Sequence, residues 1–219
     1  MENYLKAVYE LEEFQERAAT TTALAEKLNV ASPSVTAMLK RLSQQEPALV
    51  NYTSHRGVTL TEVGRLRALK VIRYHRLIET FLYEVLGYTW DEVHEEAERL
   101  EHYISERFED RLARFLGYPD FDPHGSPIPR EDGSVPVSNT LPLHKLEVGR
   151  PARVVRVVHE RQEVRDYVAS LGIVPDATVQ VTEVSPFEGP VYVRIGAREG
   201  EAVHGLGVNV AGKIEVMPV

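Results

Sequence analysis

The chain has 219 residues, 43% hydrophobic and 26% charged, with 25 Lys and Arg against 33 Asp and Glu, a formal net charge of −8. This excludes a disordered chain and, at about 150 residues per domain, corresponds to one to three domains. The absence of cysteine excludes disulfides, thiol nucleophiles, iron–sulfur clusters and thiolate metal sites.

Any ion must therefore be held by His, carboxylate, amide or carbonyl groups, a set suited to manganese, ferrous iron or magnesium. No run approaches the roughly 18 apolar residues of a membrane span, and the N-terminus lacks the basic-then-apolar layout of a secretory signal. A cytoplasmic protein with no membrane partner is expected.

The charge is segregated. Residues 26–76 carry 9 basic and 3 acidic side chains, whereas residues 77–147 carry 6 and 16. A basic module that meets a polyanion, followed by an acidic one that handles cations, fits this pattern; unevenly solvated faces are the plainer account.

Periodicity predicts a first helix over 2–15, with Leu5, Val8, Tyr9 and Leu11 inward. Thr22 to Leu28 reads as a short amphipathic helix and 29–31 as a tight turn with Val30 buried. Ser32 then serves as N-cap and Pro33 as the first helical residue of a helix carrying Val35, Leu39 and Leu42. Two short helices at this spacing describe a helix-turn-helix. The stretch from Leu49 to Thr61 alternates around Ser54–Gly57 as a β-hairpin, completing a winged helix.

A long helix is expected from Thr61 to about Leu86, apolar over so much of its circumference that it points to a helix–helix interface. Thr89 and Glu92 form a capping box for one continuous helix from Trp90 to about Leu116, striped by Val93, Ala97, Leu100, Ile104 and Phe108. Residues 117–142, with six prolines, read as a linker. Four β-rich runs after it, at 152–158, 178–184, 190–196 and 213–219, with a short helix over 164–171, suggest a small β-barrel.

Two constellations carry chemistry. On the predicted fifth helix, His94, Glu98, Glu101 and His102 lie at offsets that place them within about 100° of arc, beside the apolar stripe. His75 and Glu79 add an i, i+4 pair on the preceding helix. A glutamate-rich helix usually presents a solvated face, the role assigned to Glu92, Glu95 and Glu96, and a lone His75 would be an ordinary packed histidine. Convergence of two helices' patterns favours a metal site, because half-buried imidazoles and carboxylates need a compensating cation. His55, His144, His159 and His204 lack such partners and are read as structural with respect to metal.

The second constellation is the recognition helix. Ser32, Pro33, Ser34, Thr36 and Ala37 are small enough to approach base edges, and Lys40 and Arg41 suit phosphates. His55 and Arg56 stand at the wing tip. Thr20, Thr21 and Thr22 cap the preceding helix, with Thr22 also placed to donate to phosphate. There is no Gly-rich phosphate loop and no nucleophile elbow. The rival from another class is a binuclear carboxylate/histidine metalloenzyme, which leaves the winged helix unexplained; a third is a DNA-binding protein with a structural His/Glu cluster.

His75-x-x-x-Glu79, His94-x-x-x-Glu98-x-x-Glu101-His102, YLKAVYELEE at the start, HRGVTLTEVG at the wing and DPHGSPIP in the linker together resemble the diphtheria-toxin-repressor family of metal-dependent transcriptional regulators, in its three-domain form. The resemblance implies a mainly α protein with a β-rich C-terminal domain: a winged helix over 1–62, a helical dimerisation and metal-binding domain over 63–122, a linker over 123–140 and a FeoA-like barrel over 141–219. It implies a homodimer on a palindromic double-stranded operator, with no organic substrate and no catalysis, repressing metal-uptake genes when metal is bound. Two ions per subunit are implied. The ancillary one falls to His75, Glu79 and His94 with Glu160 and Glu163; the primary one falls to Glu98, Glu101 and His102 with Asn3. Iron-responsive members carry a thioether or thiol where this chain has Asn3 and Glu98, so a carboxylate at 98 favours Mn2+ over Fe2+. Manganese-type members carry acids where this chain has Asn3 and Lys6, and Lys6 cannot ligate.

Overall fold

A computed structural model describes residues 1–15, 18–54, 56–90, 92–137, 139–158, 162–196 and 202–219. Helix α1 (Glu2–Gln15) packs Leu5, Val8, Tyr9 and Leu11 into a first core, together with Leu24 and Ala25 of α2 (Thr21–Lys27) and Val35, Leu39 and Leu42 of α3 (Ser32–Ser43). The hairpin follows as β1 (Val50–Thr53) and β2 (Gly57–Leu60), paired antiparallel from Val50↔Leu60 to Thr53↔Gly57. It is fastened to the bundle by the Ala19–Val58 backbone bridge.

Two expectations within this unit are corrected. Ser32 is already helical and the N-cap is Ala31, without a side-chain hydrogen bond; Pro33 in the first turn does the work of starting the helix. Val30 is 37% exposed rather than buried, because Asn29 takes a left-handed conformation (φ 51°) that turns the next residue outward.

Helix α4 (Glu62–Glu84) starts at Thr61, whose hydroxyl accepts from Gly64 N. Its apolar circumference serves two cores in succession. Ala68, Leu69 and Ile72 complete the first, whereas Leu77, Ile78 and Leu82 belong to a second with Val93, Ala97, Leu112, Ala113 and Ile128.

The expected continuous helix over 90–116 is two: α5 (Val93–Leu100) and α6 (Glu106–Phe115), separated by a turn. Ser105 accepts from Phe108 N and caps the new helix, a stronger local instruction than the continuing stripe. Phe108, expected inward, is 49% exposed. Arg73 of α4, itself buried, donates to Glu109 of α6 at 2.7 Å and to the Pro129 carbonyl at 2.8 Å, pinning the second helix and the following loop.

The C-terminal unit has its own core. Its strands are β3 (Leu141–Pro142), β4 (Pro151–Val157), β5 (Thr178–Val184), β6 (Val191–Ile195), β7 (Val203–Leu206) and β8 (Ile214–Pro218), with α7 (Gln162–Ser170) and α8 (Val208–Ala211). The four expected runs and the helix are present; β3, β7 and α8 are too short to show a period. The sheet is antiparallel in the order β3-β8-β4-β5-β6-β7. Among the described residues β3 and β7 form the two ends of this order with no pairing between them, so closure of the sheet into the expected barrel is not seen.

Candidate metal centre and nucleic-acid interface

Glu79 is the hub of the acidic region. It sits on α4 and is 2% exposed. Its Oε1 lies 2.9 Å from His75 Nε2, one helical turn back, and 3.0 Å from His94 Nδ1 on α5, while the two ring nitrogens are 3.1 Å apart. Three donor atoms at these separations have the spacing of neighbouring ligands around an octahedral ion with bonds of about 2.1 Å, for which adjacent donors lie about 3 Å apart. His75, Glu79 and His94 therefore form a group that could hold a metal ion.

The other oxygen of Glu79 meets a pair of residues that the sequence patterns do not mark. His124 Nδ1 is 3.5 Å from Glu79 Oε2, and Asp122 completes a second ligand group with them. Both lie in the Pro-rich stretch. Asp122 Oδ1 accepts from the His124 and Ser126 backbone N–H groups, each at 2.8 Å, closing a tight loop. His124 Nε2 donates to the Trp90 carbonyl at 3.0 Å, and this fixes the ring with Nδ1 facing the Glu79 carboxylate. The one signal in the sequence is DPHG itself, an Asp and a His two apart, which no helical or strand period would mark.

The electrostatics follow from burial among mixed charges. Burial opposes a charge on His75, but Glu79 and the hydrogen bonds to Glu101 and Glu79 outweigh it and raise its pKa to about 9. Burial likewise opposes ionisation of Glu79, yet the facing imidazoles of His75, His124 and His94 hold it well below the usual carboxylate range. Burial, then the Glu79 charge, push Asp122 up to about 6 against the pull of His124 and Arg76. Imidazolium protons thus balance the buried carboxylates where a divalent cation would otherwise do so.

The remaining expected ligands are not drawn into this cluster. Glu98 stands 3.8 Å from His94 Nε2 with its side chain 57% exposed. Glu101 is buried and faces His75 Nδ1 at 2.6 Å and the Lys6 ammonium at 2.9 Å. His102, beyond the end of α5, turns its Nδ1 to Glu2 Oε2 at 2.7 Å. Asn3 and Glu163 are exposed, and Glu160 lies outside the described residues. The cluster opens onto a cleft of about 680 Å³, walled on the far side by Arg156, Val157, Val158 and Arg165 of the C-terminal unit.

Gly125 sets how closely that unit approaches. Its φ is +78°, and a Cβ there would lie 1.7 Å from the Val155 carbonyl oxygen of β4. The loop carrying Asp122 and His124 thus abuts the C-terminal sheet backbone to backbone.

On the opposite end, α3 presents Ser32, Pro33, Ser34, Ala37, Lys40 and Arg41 to solvent. Thr36 is half-buried and returns its hydroxyl to the Ser32 carbonyl at 3.1 Å. Thr20 is the N-cap of α2, accepting from Ala23 N, and Thr22 is exposed in its first turn. Arg56 is exposed at the hairpin tip, and His55 lies outside the described residues. This leaves one polar, basic helical face beside a hairpin, a shape that enters a major groove.

Comparison with known proteins gives three successive matches. Residues 1–58 match the N-terminal DNA-binding domain of iron-dependent repressors, residues 61–130 their metal-binding and dimerisation domain, and residues 141–218 the FeoA domain. The chain is 35% identical over 210 residues to the iron-dependent repressor IdeR of Mycobacterium leprae, covering 90% of this chain and 89% of that protein. It is 32% identical over 164 residues to the diphtheria toxin repressor of Corynebacterium diphtheriae, 71% of each. Among solved structures, a manganese-dependent transcriptional repressor in complex with manganese superposes with a TM-score of 0.88 at 38% identity, covering 100% of this chain and 99% of that one. The manganese regulator SloR gives 0.82 at 32% identity, covering 100% and 98%.

Proposed function

The chain belongs to the iron-dependent repressor family, and from that premise we propose that it is a manganese-responsive member whose ion is held around Glu79. It is a metal-dependent DNA-binding repressor and not an enzyme. The observation that carries the metal reading is the donor set: a buried carboxylate meeting two imidazoles through one oxygen and a His/Asp loop through the other, with no cysteine in the chain. Nitrogen and oxygen donors without sulfur suit both Mn2+ and Fe2+, and the likeness at 38% identity to a manganese-dependent repressor in complex with manganese favours Mn2+. When bound, the cation supplies the positive charge that the buried carboxylates otherwise take from imidazolium protons.

The residues then act as ties. His75 and Glu79 belong to the helix that runs from the DNA-binding unit into the middle unit; His94 brings in α5; Asp122 and His124 bring in the loop on which the C-terminal unit rests. Closing these ties removes freedom from three segments at once. Free energy invested in the ordered state is returned as tighter operator binding, a coupling typically of about 1–3 kcal/mol or roughly 5- to 150-fold.

The DNA contacts proposed are Ser32, Pro33, Ser34, Thr36 and Ala37 toward base edges, and Thr22, Lys40, Arg41, His55 and Arg56 toward phosphates, on a palindromic operator read by two copies. Leu100, Tyr103, Phe108 and Phe115 leave an exposed apolar strip along α5 and α6 that suits the pairing of two subunits. The controlled genes are those of metal uptake.

The test is a DNA-binding titration with Mn2+, anaerobic Fe2+ and a chelator, on a pool enriched for palindromes. Retention that needs Mn2+ supports the reading, and a stronger response to Fe2+ reassigns the metal. Equal retention with the chelator reduces the Glu79 cluster to a structural role.

A further inference from the structure

The primary position expected from the resemblance, built from Glu98, Glu101, His102 and Asn3, already contains a cation. Lys6 reaches in from α1 with its side chain 10% exposed, and its ammonium lies 2.9 Å from Glu101 Oε2, 3.9 Å from Glu98 Oε1 and 3.2 Å from His75 Nδ1. Glu101, with a side chain only 1% exposed, gives that same oxygen to His75 and keeps Oε1 3.5 Å from His102 Nε2. His102 has followed the turn after Leu100 and is engaged with Glu2. Asn3 is exposed and brings only a neutral amide. These donors do not fit a second ion: one carboxylate is committed to Lys6 and His75, one is solvated, the imidazole is held between Glu2 and Glu101, and a buried ammonium stands among them. A buried ammonium keeps its place because it is paired, and it cannot share its carboxylates with a divalent ion without strong repulsion.

We propose that Lys6 is the resident cation of this position, so that each subunit takes up one ion, at the Glu79 cluster, and α1 is joined to the end of α5 without metal. The proposal rests on the Glu79 cluster being the metal centre. Glu2 and Lys6 lie one turn apart on α1 and meet the adjacent His102 and Glu101, so the joint consists of a carboxylate–imidazole contact and an ion pair from consecutive turns meeting consecutive residues. The chain performs with its own side chains the clasp that the resemblance assigns to an ion, leaving metal control to the joint between α4, α5 and the 122–126 loop.

The experiment counts Mn2+ per subunit on the full chain, by equilibrium dialysis with electron paramagnetic detection of free Mn2+. The wild type is expected to take up one ion. His102→Ala, at a half-exposed position, is expected to keep it with an affinity within about twofold, and Glu79→Gln to lose it. Lys6→Met and Lys6→Glu, which withdraw the ammonium, are each expected to admit a second ion; Lys6→Met preserves the packing if Lys6→Glu does not fold. Two ions in the wild type, with one lost in His102→Ala, overturn the proposal while leaving the metal reading intact. Folded Lys6 variants that still take up one ion overturn it as well. No ion in the wild type, or an ion retained by Glu79→Gln, overturns the underlying assignment of the Glu79 cluster and the proposal with it.

Discussion

His124 and Glu79 face each other across 3.5 Å, the imidazole held in one orientation by its other nitrogen, which donates to the Trp90 carbonyl. The contact joins a helix to a loop 45 residues later and turns a proline-rich stretch into part of the centre.

Replacing His124 with Ala is therefore expected to weaken Mn2+ binding by about 10- to 100-fold, the range seen when a group that ligates or orients a ligand is removed. The measurement is Mn2+ affinity by competition with a chelating dye, with circular dichroism as the control for folding. An affinity within twofold of wild type would remove the loop from the centre.

The imidazolium of His75 makes metal uptake proton-linked. With its pKa raised to about 9, the ring is protonated at neutral pH and must lose a proton to ligate. Mn2+ affinity is expected to rise with pH, by up to about tenfold per unit below pH 9, with proton release visible by calorimetry in buffers of different ionisation enthalpy. In chelator the opposite trend holds for stability. The folded pKa lies above the unfolded value near 6.5, so the imidazolium's contribution is full below 6.5 and disappears as pH rises through about 9. A metal-free melting temperature that rose from pH 7 to pH 9 would contradict this.

Lys40 and Arg41 end the exposed face of α3. Changing either to Ala is expected to weaken binding to all sequences alike and to lower the slope of log affinity against log salt by about 0.9 for each phosphate that is no longer neutralised. Ser34→Ala or Ala37→Ser should instead alter the ranking of operator variants while leaving the salt slope unchanged. Filter binding at several salt concentrations separates the two effects.

Gly125→Ala puts a methyl group where the Val155 carbonyl stands. The expected result is a C-terminal unit that no longer seats on the metal loop, read as faster proteolysis between residues 126 and 141 and a weaker Mn2+ affinity, with the DNA-binding unit still folded. Unchanged cleavage would show that the two backbones separate without cost.

The elements that sequence specifies locally are legible in it. The cap at Thr20, Pro33 in the first turn of α3, the start of α4 next to Thr61 and the apolar spacing of α1 reside in runs of a few residues, and each appears where expected. The break at 101–105 is concealed because Leu100, Ile104 and Phe108 continue the helical period across it. Leu100 and Phe108 are exposed while Ile104 packs against the second core, and only Ser105 signals the restart. His75, Glu79 and His94 stand out because i, i+4 geometry and a neighbouring helix converge on them. Asp122 and His124 do not, because a loop has no period and their partners are distant in sequence. The occupation of the primary position by Lys6 depends on a contact across 95 residues, which no local pattern encodes.

Glu79 has two oxygens and gives them to different neighbours, Oε1 to His75 and His94, Oε2 to His124. The carboxylate cannot rotate toward one side without withdrawing from the other. Helix α5 and the 122–126 loop thus meet at the two oxygens of a single carboxylate. A side chain arranged in this way registers coincidence: it reports that both segments have closed, and half of that arrangement counts for little.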